Sequence, residues 1–157
     1  MEELSIGFPY CRKLTNKGLN PFGAILNQHK RLKSFSLNFE GCSKLTCGTF
    51  GGINEIILKK PNLESLKLNF SKTQVEDEGL NLMLGSLINL REFEMNVERC
   101  PDIKNIALSK NIKKMPKLER FVVNTLHCPE ISAKALKDLG KDVEMKASKL
   151  IEFTLSR

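Results

Sequence analysis

The sequence predicts an α/β fold: an open solenoid of about six parallel strands on its concave face, with helices on the convex face. Short segments with alternating apolar residues recur every 27 to 32 residues along the 157-residue chain. A helix-like stretch follows these segments, and strands joined by helical crossovers form parallel sheets. Seven of the nine phenylalanines fall at two fixed positions of the repeating unit, so the periodicity is not a chance pattern.

The strands define one domain, 1–157, whose repeats start near residues 1, 32, 63, 90, 118 and 150. The first apolar residues of the strand cores are Leu4, Phe35, Leu66, Phe93, Phe121 and Phe153. Alternation directs the fourth, sixth and eighth positions of each repeat toward a core and the second, third, fifth and seventh outward. The same pattern is also expected for a segment of a longer repeat array.

A second column of similar residues follows the strands. Cysteine occupies the same offset in four repeats, and threonine takes its place in the third: Cys11, Cys42, Thr73, Cys100 and Cys128. Cysteine is among the most buried residue types and suits a turn that leaves the sheet. Five cysteines without a Cys-x-x-Cys pair argue against a disulfide framework or a zinc site, which favours a reducing compartment.

Helical spacing of apolar residues and the positions of prolines predict the crossovers. Pro61 and Pro116 each stand two residues before a strand start, where a helix must already have ended. The predicted helices are 17–28, 49–58, 76–87, 103–114 and 132–139. Residues 142–147 are expected to hold an extra turn or a short strand.

The segment from Leu66 to Leu80, Leu-Lys-Leu-Asn-Phe-Ser-Lys-Thr-Gln-Val-Glu-Asp-Glu-Gly-Leu, is the most regular of the repeats. It resembles the LxLxLxxNxIxDxG pattern of leucine-rich repeats of the ribonuclease-inhibitor-like type, which are common in ciliate and other protist proteins. The chain departs from that pattern where cysteine or threonine replaces the usual asparagine. The resemblance implies a scaffold that binds protein and carries no catalytic site.

The outward positions of the strands form the first candidate binding surface. Its residues are Asn38, Lys67, Asn69, Arg91, Glu94, Asn96, Arg120 and Asn124. The four asparagines share the seventh position and would lie about 4.8 Å apart along the sheet. They are interpreted either as an amide ladder that orders the sheet surface or as a polar stripe that binds an extended partner segment. Seven acids and four bases at the outward positions disfavour nucleic acid on this face.

Basic residues concentrate in the helices and loops of a chain whose net charge is +7. The clusters are 30–31, 59–60, 110–117 and 134–149. They form either a solvated surface or a convex surface that binds an acidic protein or RNA. With no Trp and one Tyr, the chain lacks stacking platforms for single-stranded nucleic acid.

No catalytic residue, cofactor site or metal site is predicted. The only histidines are His29 and His127, and nothing marks an oriented nucleophile or an oxyanion site beside them. Gly51, Gly52 and Gly79 are not followed by the Lys-Ser/Thr of a phosphate-binding loop.

The terminal strands form the second candidate surface, since each end of a solenoid exposes an apolar face. The candidate end contacts are Ile6, Phe8, Phe153 and Leu155. They predict a longer repeat protein, a partner that covers these edges, or a small stand-alone domain that tolerates the exposure, and the first two are favoured.

The predicted function is a non-catalytic protein–protein interaction scaffold, a structural subunit of a multi-subunit complex. The alternative is an RNA- or ribonucleoprotein-associated repeat protein that binds through its basic helices. No apolar run approaches the roughly 20 residues of a membrane helix, so no membrane contact is expected. The expected location is intracellular, in the cytoplasm or in cytoskeletal or ciliary structures.

Overall fold

The computed structural model describes residues 1–19, 21–22, 26, 28–85, 87–104, 111, 114–144 and 152–156. For residues 56, 139, 142–144 and 152–156 it describes the backbone alone.

Six short strands form one open sheet in which every strand pairs in parallel with the next along the chain. The strands are β1 (Glu3–Gly7), β2 (Ser34–Asn38), β3 (Ser65–Asn69), β4 (Glu92–Asn96), β5 (Arg120–Asn124) and β6 (Glu152–Ser156). The predicted α/β class with a parallel sheet in sequence order is confirmed.

The register of the sheet aligns equivalent positions of successive repeats. Phe35 lies beside Leu66, Leu66 beside Phe93, and Phe93 beside Phe121. The inward positions of β2 to β5 are almost fully buried, as the alternation predicts. The rings of Phe93 and Phe121 stack with centroids 5.7 Å apart. The apolar core therefore lies along one face of the sheet, and the other face carries the outward positions.

Within the described parts of the crossovers, the helices with defined bounds are a 3₁₀ helix, Asn16–Leu19, and the α-helices α1 (Gly48–Leu58), α2 (Asp77–Leu84) and α3 (Ala133–Glu144). Helix α1 matches its prediction within one residue, and α2 is shorter than predicted. Of the predicted helix 17–28, residues 20, 23–25 and 27 lie outside the described residues, as do 105–110 and 112–113 of the predicted helix 103–114.

The prediction of a separate turn or strand from residue 142 is wrong for 142–144, because α3 continues to Glu144. Leu136, Leu139 and Val143 keep helical spacing across this stretch, so the apolar period does not end where the prediction placed it. Residues 145–147 lie outside the described residues.

Gly79 fixes how closely α2 packs on α1. A Cβ atom at this position would lie 2.4 Å from the carbonyl oxygen of Cys47 and 3.1 Å from the Cβ of Phe50. The backbone of α2 therefore contacts the N-terminal end of α1 directly, which only glycine permits.

Candidate functional site

The face of the sheet opposite the core, here called the outer face, consists of the second, third, fifth and seventh residues of each repeat. The structure brings all eight residues of the first candidate surface together on it, in β2 to β5 or immediately before them. Their side chains are partly or fully exposed, in contrast to the buried positions with which they alternate.

The four asparagines align in one register column, Asn38 beside Asn69, then Asn96, then Asn124. In each, Oδ1 accepts a hydrogen bond from the backbone N–H two residues later, at distances of 2.9 to 3.1 Å. These Asx turns end the strands in the same way in four repeats. The asparagine column therefore has a structural role, because each side chain orders the turn that follows its strand.

The same hydrogen bonds fix the orientation of the amides. Because the backbone N–H requires an acceptor, Oδ1 must face the turn and Nδ2 must face away from it. No acceptor among the described residues takes a hydrogen bond from these four Nδ2 groups. The column thus presents aligned N–H donors, so the structural and the binding interpretations are compatible.

The charged residues of the outer face pair across the strands. Glu94 lies 3.6 Å from Nζ of Lys67 and 2.9 Å from a guanidinium nitrogen of Arg120. Arg91 pairs with Glu119 at 2.5 Å, and this hydrogen bond raises the pKa of Arg91. Such solvent-exposed pairs add little to stability because water and salt screen them. In the four central repeats the outer face carries four acids and four bases and is compensated, and its excess of acids lies in the two terminal repeats.

The turn after each of β1 to β5 contains one residue with a left-handed backbone. Its φ is 57° to 69° in five successive repeats, at Tyr10, Gly41, Lys72, Arg99 and His127. This residue directly precedes the column of cysteines and threonine. The strain is modest for one residue, about 1–2 kcal/mol where it is not glycine, and the repeated geometry shows that the turn is imposed by the fold.

The cysteine column is a ladder of buried and half-buried donors. The thiols of Cys42, Cys100 and Cys128 donate to carbonyl oxygens at the ends of the preceding strands, Sγ to oxygen distances being 3.0 to 3.1 Å. Burial raises the pKa of Cys100 to about 11, so its nucleophilic thiolate is scarce at neutral pH. The expected burial holds for Cys42 and Cys100, is only partial for Cys128, and is wrong for Cys11, which is exposed.

Sequence reasoning missed a cluster that links the first three repeats. Tyr10 Oη donates to Glu40 Oε1 at 2.6 Å, and Lys72 Nζ donates to the same oxygen at 2.5 Å. These bonds lower the pKa of Glu40 and raise that of Lys72. Tyr10 and Lys72 occupy equivalent turn positions two repeats apart, and Glu40 lies one position earlier in the repeat between them. Their repeat positions place the three turns side by side, but the sequence does not show that the side chains converge on one oxygen.

The predicted basic cluster 59–60 is only half exposed. Lys59 is exposed, but Lys60 is buried, with 5% of its surface accessible, and its Nζ donates to the carbonyls of Leu26 and His29. Burial lowers the pKa of Lys60. Its long apolar stem lets it cross the core edge to reach carbonyls of the preceding repeat, which a charge count along the sequence does not reveal.

The candidate end contacts are described only at the first edge. Ile6 is half-buried, and Phe8 is 40% exposed with its ring centroid 5.7 Å from that of Phe22. For Phe153 and Leu155 the backbone lies in β6, and their side chains lie outside the described ones.

No group of three or more His, Cys, Asp or Glu side chains within the described ranges is placed to hold a metal ion. The two histidines are far apart in the chain, and His127 is exposed at its left-handed turn. No helix within the described part of the chain is long and apolar enough to cross a membrane. No protein-family model matches the chain, and no curated protein is significantly similar to it.

Proposed function

We propose that the chain is a leucine-rich repeat solenoid of the ribonuclease-inhibitor-like type that acts as a non-catalytic protein interaction scaffold, a structural subunit of a larger intracellular assembly. The observation that carries the proposal is the outer face, where four amide groups in matched register present N–H donors that no described residue uses.

The chemistry of this face suits recognition of a polypeptide. Aligned neutral donors and compensated ion pairs complement the carbonyls and mixed side chains of a protein segment better than they complement a polyphosphate. The buried thiols and the exposed, isolated histidine offer no activated nucleophile, which supports a binding role.

The test uses variants that lengthen side chains on the outer face without removing a structural contact. Ser36→Glu places a carboxylate beside Lys67, and Val122→Lys places an ammonium beside Glu94. Both new neighbours are of opposite charge, so stability should change by less than about 0.5 kcal/mol. We expect the double variant to lose partners that the wild-type chain captures from its native source, while Lys59→Glu, away from this face, retains them.

Quantitative mass spectrometry of the captured proteins measures the effect. A specific set of proteins lost only from the outer-face variant supports the scaffold. If the wild-type chain captures no specific protein, the proposed function fails. If the outer-face variant captures the same set as the wild type, the binding surface is assigned to the wrong face.

The alternative, binding of RNA through the basic helices, is favoured by exposed lysines on α3 and its flanks, among them Lys134, Lys137 and Lys141. Fluorescence anisotropy with labelled polyuridylate at about 50 mM salt tests it, because phosphate contacts are strongest at low salt. Saturable binding that Lys134→Glu and Lys137→Glu abolish would favour RNA over the scaffold.

A further inference from the structure

The cysteine column contains two pairs of neighbouring thiols. Cys11 and Cys42 occupy equivalent turns of the first two repeats, and Cys100 and Cys128 those of the fourth and fifth. Thr73 stands between the pairs, so Cys42 and Cys100 are two repeats apart, about 9.6 Å at sheet spacing. That distance is too long for a disulfide, whereas one repeat is not.

The turns that hold these cysteines continue the parallel ladder of the sheet. The backbone N–H of Tyr10 donates to the carbonyl of Glu40 at 2.6 Å, and that of Arg99 donates to the carbonyl of Leu126 at 2.9 Å. Each donor residue directly precedes the first cysteine of a pair. Since neighbouring strands lie about 4.8 Å apart, the Cα atoms of paired cysteines fall within the roughly 4.4–6.8 Å range of a disulfide.

Within each pair, one carbonyl binds both cysteines. The carbonyl oxygen of Phe8 accepts the backbone N–H of Cys11 at 3.4 Å and the thiol of Cys42 at 3.1 Å. The carbonyl of Val97 does the same in the second pair, at 3.1 and 3.0 Å. The thiol of the later cysteine therefore points back toward the backbone of the earlier one.

The contact between Thr73 and Cys100 shows how closely the side chains of neighbouring turns approach. Both donate to the carbonyl of Phe70, Oγ1 at 2.6 Å and Sγ at 3.1 Å, and these two atoms lie 3.7 Å apart. Two cysteines with the same side-chain orientations would place their sulfur atoms at a similar distance. Side-chain rotation and a small shift of the turns close the remaining gap to the roughly 2.0 Å of a disulfide bond.

The two pairs differ in their access to solvent. Cys11 is exposed, so its thiol can meet a small oxidant, whereas Cys42 is buried, and burial raises the pKa of its thiol. In the second pair Cys100 is fully buried and Cys128 is half-buried. Cysteines that respond to oxidation are accessible and lie next to a second thiol that resolves the oxidised form, and the first pair meets both conditions.

We propose that Cys11 and Cys42 form an oxidisable thiol pair that reacts with a hydroperoxide to give a disulfide between the first two repeats. The thiolate of Cys11 attacks a peroxide oxygen, the O–O bond breaks and an S–O bond forms. Cys11 becomes a sulfenic acid, oxidised by two electrons, and the peroxide leaves as an alcohol or as water.

The second step uses the buried thiol. The sulfur of Cys42 attacks the sulfur of Cys11, and the thiol proton leaves with the sulfenic hydroxyl as water. A thiol reductant restores both cysteines by exchange, as expected of a redox-responsive pair in a reducing compartment. The pair lies beyond the strands, away from the outer face, so the inference does not rest on the proposed scaffold function.

The test treats the purified wild-type chain with hydrogen peroxide, blocks the remaining thiols with N-ethylmaleimide and digests the chain with trypsin without reduction. Each cysteine falls in a separate tryptic peptide. We expect peptide 1–12 linked to peptide 34–44, two hydrogens lighter than their sum, and dithiothreitol should release both. This link should form at least about tenfold faster than a link between Cys100 and Cys128, since exposure governs thiol oxidation.

Two variants distinguish this chemistry from a purely structural role of the thiols. In Cys42→Ser the sulfenic acid of Cys11 has no resolving thiol, so dimedone should capture it at least about tenfold more than in the wild type. In Cys11→Ser, peroxide should leave Cys42 a free thiol. Cys47 is the internal control, a half-buried cysteine whose equivalent positions in the neighbouring repeats are Asn16 and Glu78.

The absence of the linked peptide after peroxide treatment would overturn the proposal. So would a link of Cys42 to Cys47, a link found only in covalent dimers, or a link between Cys100 and Cys128 that forms equally fast. The wild-type measurement needs no substitution, so it decides the proposal even if a serine variant is destabilised. None of these measurements uses a partner, so the thiol pair and the scaffold can fail separately.

Discussion

Gly79→Ala should destabilise the protein, although alanine is the better helix former. The new Cβ would lie 2.4 Å from the carbonyl oxygen of Cys47, about 1 Å short of the 3.4 Å at which ordinary contact begins. The obstacle is backbone, so α2 must shift away from α1. Overpacking of this kind costs about 1–3 kcal/mol, and the helix propensity of alanine offsets about 1 kcal/mol of it. We expect a net loss of up to about 2 kcal/mol.

Gly51→Ala is the matched control, since Gly51 lies in α1 and a Cβ there would meet nothing within 4 Å. It should stabilise by about 0.5–1 kcal/mol. Urea unfolding followed by circular dichroism measures both changes through the shift of the midpoint at constant slope. If both variants shift the midpoint in the same direction, the proposed contact between α2 and α1 does not determine the choice of glycine.

Three further predictions concern charges and thiols. Lys60→Met should lower the free energy of unfolding by about 1–3 kcal/mol, because two carbonyls lose their buried donor. The control, Lys59→Met, should change it by less than about 0.5 kcal/mol in the same urea assay. The pKa of Glu40 is lowered in the folded protein, so its carboxylate stabilises the fold above its unfolded-state pKa of about 4.3 and loses this effect as pH falls through the folded-state value. The difference in unfolding free energy between the wild type and Glu40→Gln should therefore shrink on acidification. A difference that grows would contradict the ion cluster. A thiol-reactive dye at pH 8 should label the exposed Cys11 rapidly and the fully buried Cys100 only on unfolding. Peptide mapping assigns the labelled sites. Rapid labelling of both cysteines would refute the burial of the Cys100 thiol.

The sheet could be predicted from the sequence because its determinants are local and repeat. Alternation with period two needs only five residues per strand, and the recurrence of Phe35, Phe93 and Phe121 at one position fixed the register of the strands. The outer face followed directly, since residues that are not inward must be outward. The family resemblance and the function drawn from it remain predictions.

Contacts between non-equivalent positions could not be predicted in this way. Lys60 reads as an exposed surface cation, and only the tertiary structure shows the carbonyls at Leu26 and His29 that bind its ammonium group. The end of α3 was misplaced because its apolar period continues through Val143.

The constant length of the turn after β1 to β5 limits where the gene can gain or lose codons. Three residues separate the last residue of β1 to β5 from the donor column, as between Asn38 and Cys42 or between Asn96 and Cys100, whereas whole repeats vary from 27 to 32 residues. An added or deleted residue in that turn would misplace the left-handed residue and the donor together. Insertions and deletions should therefore accumulate in the crossovers. A complete repeat, bounded by two equivalent turns, can be duplicated or removed without altering the register of the remaining strands.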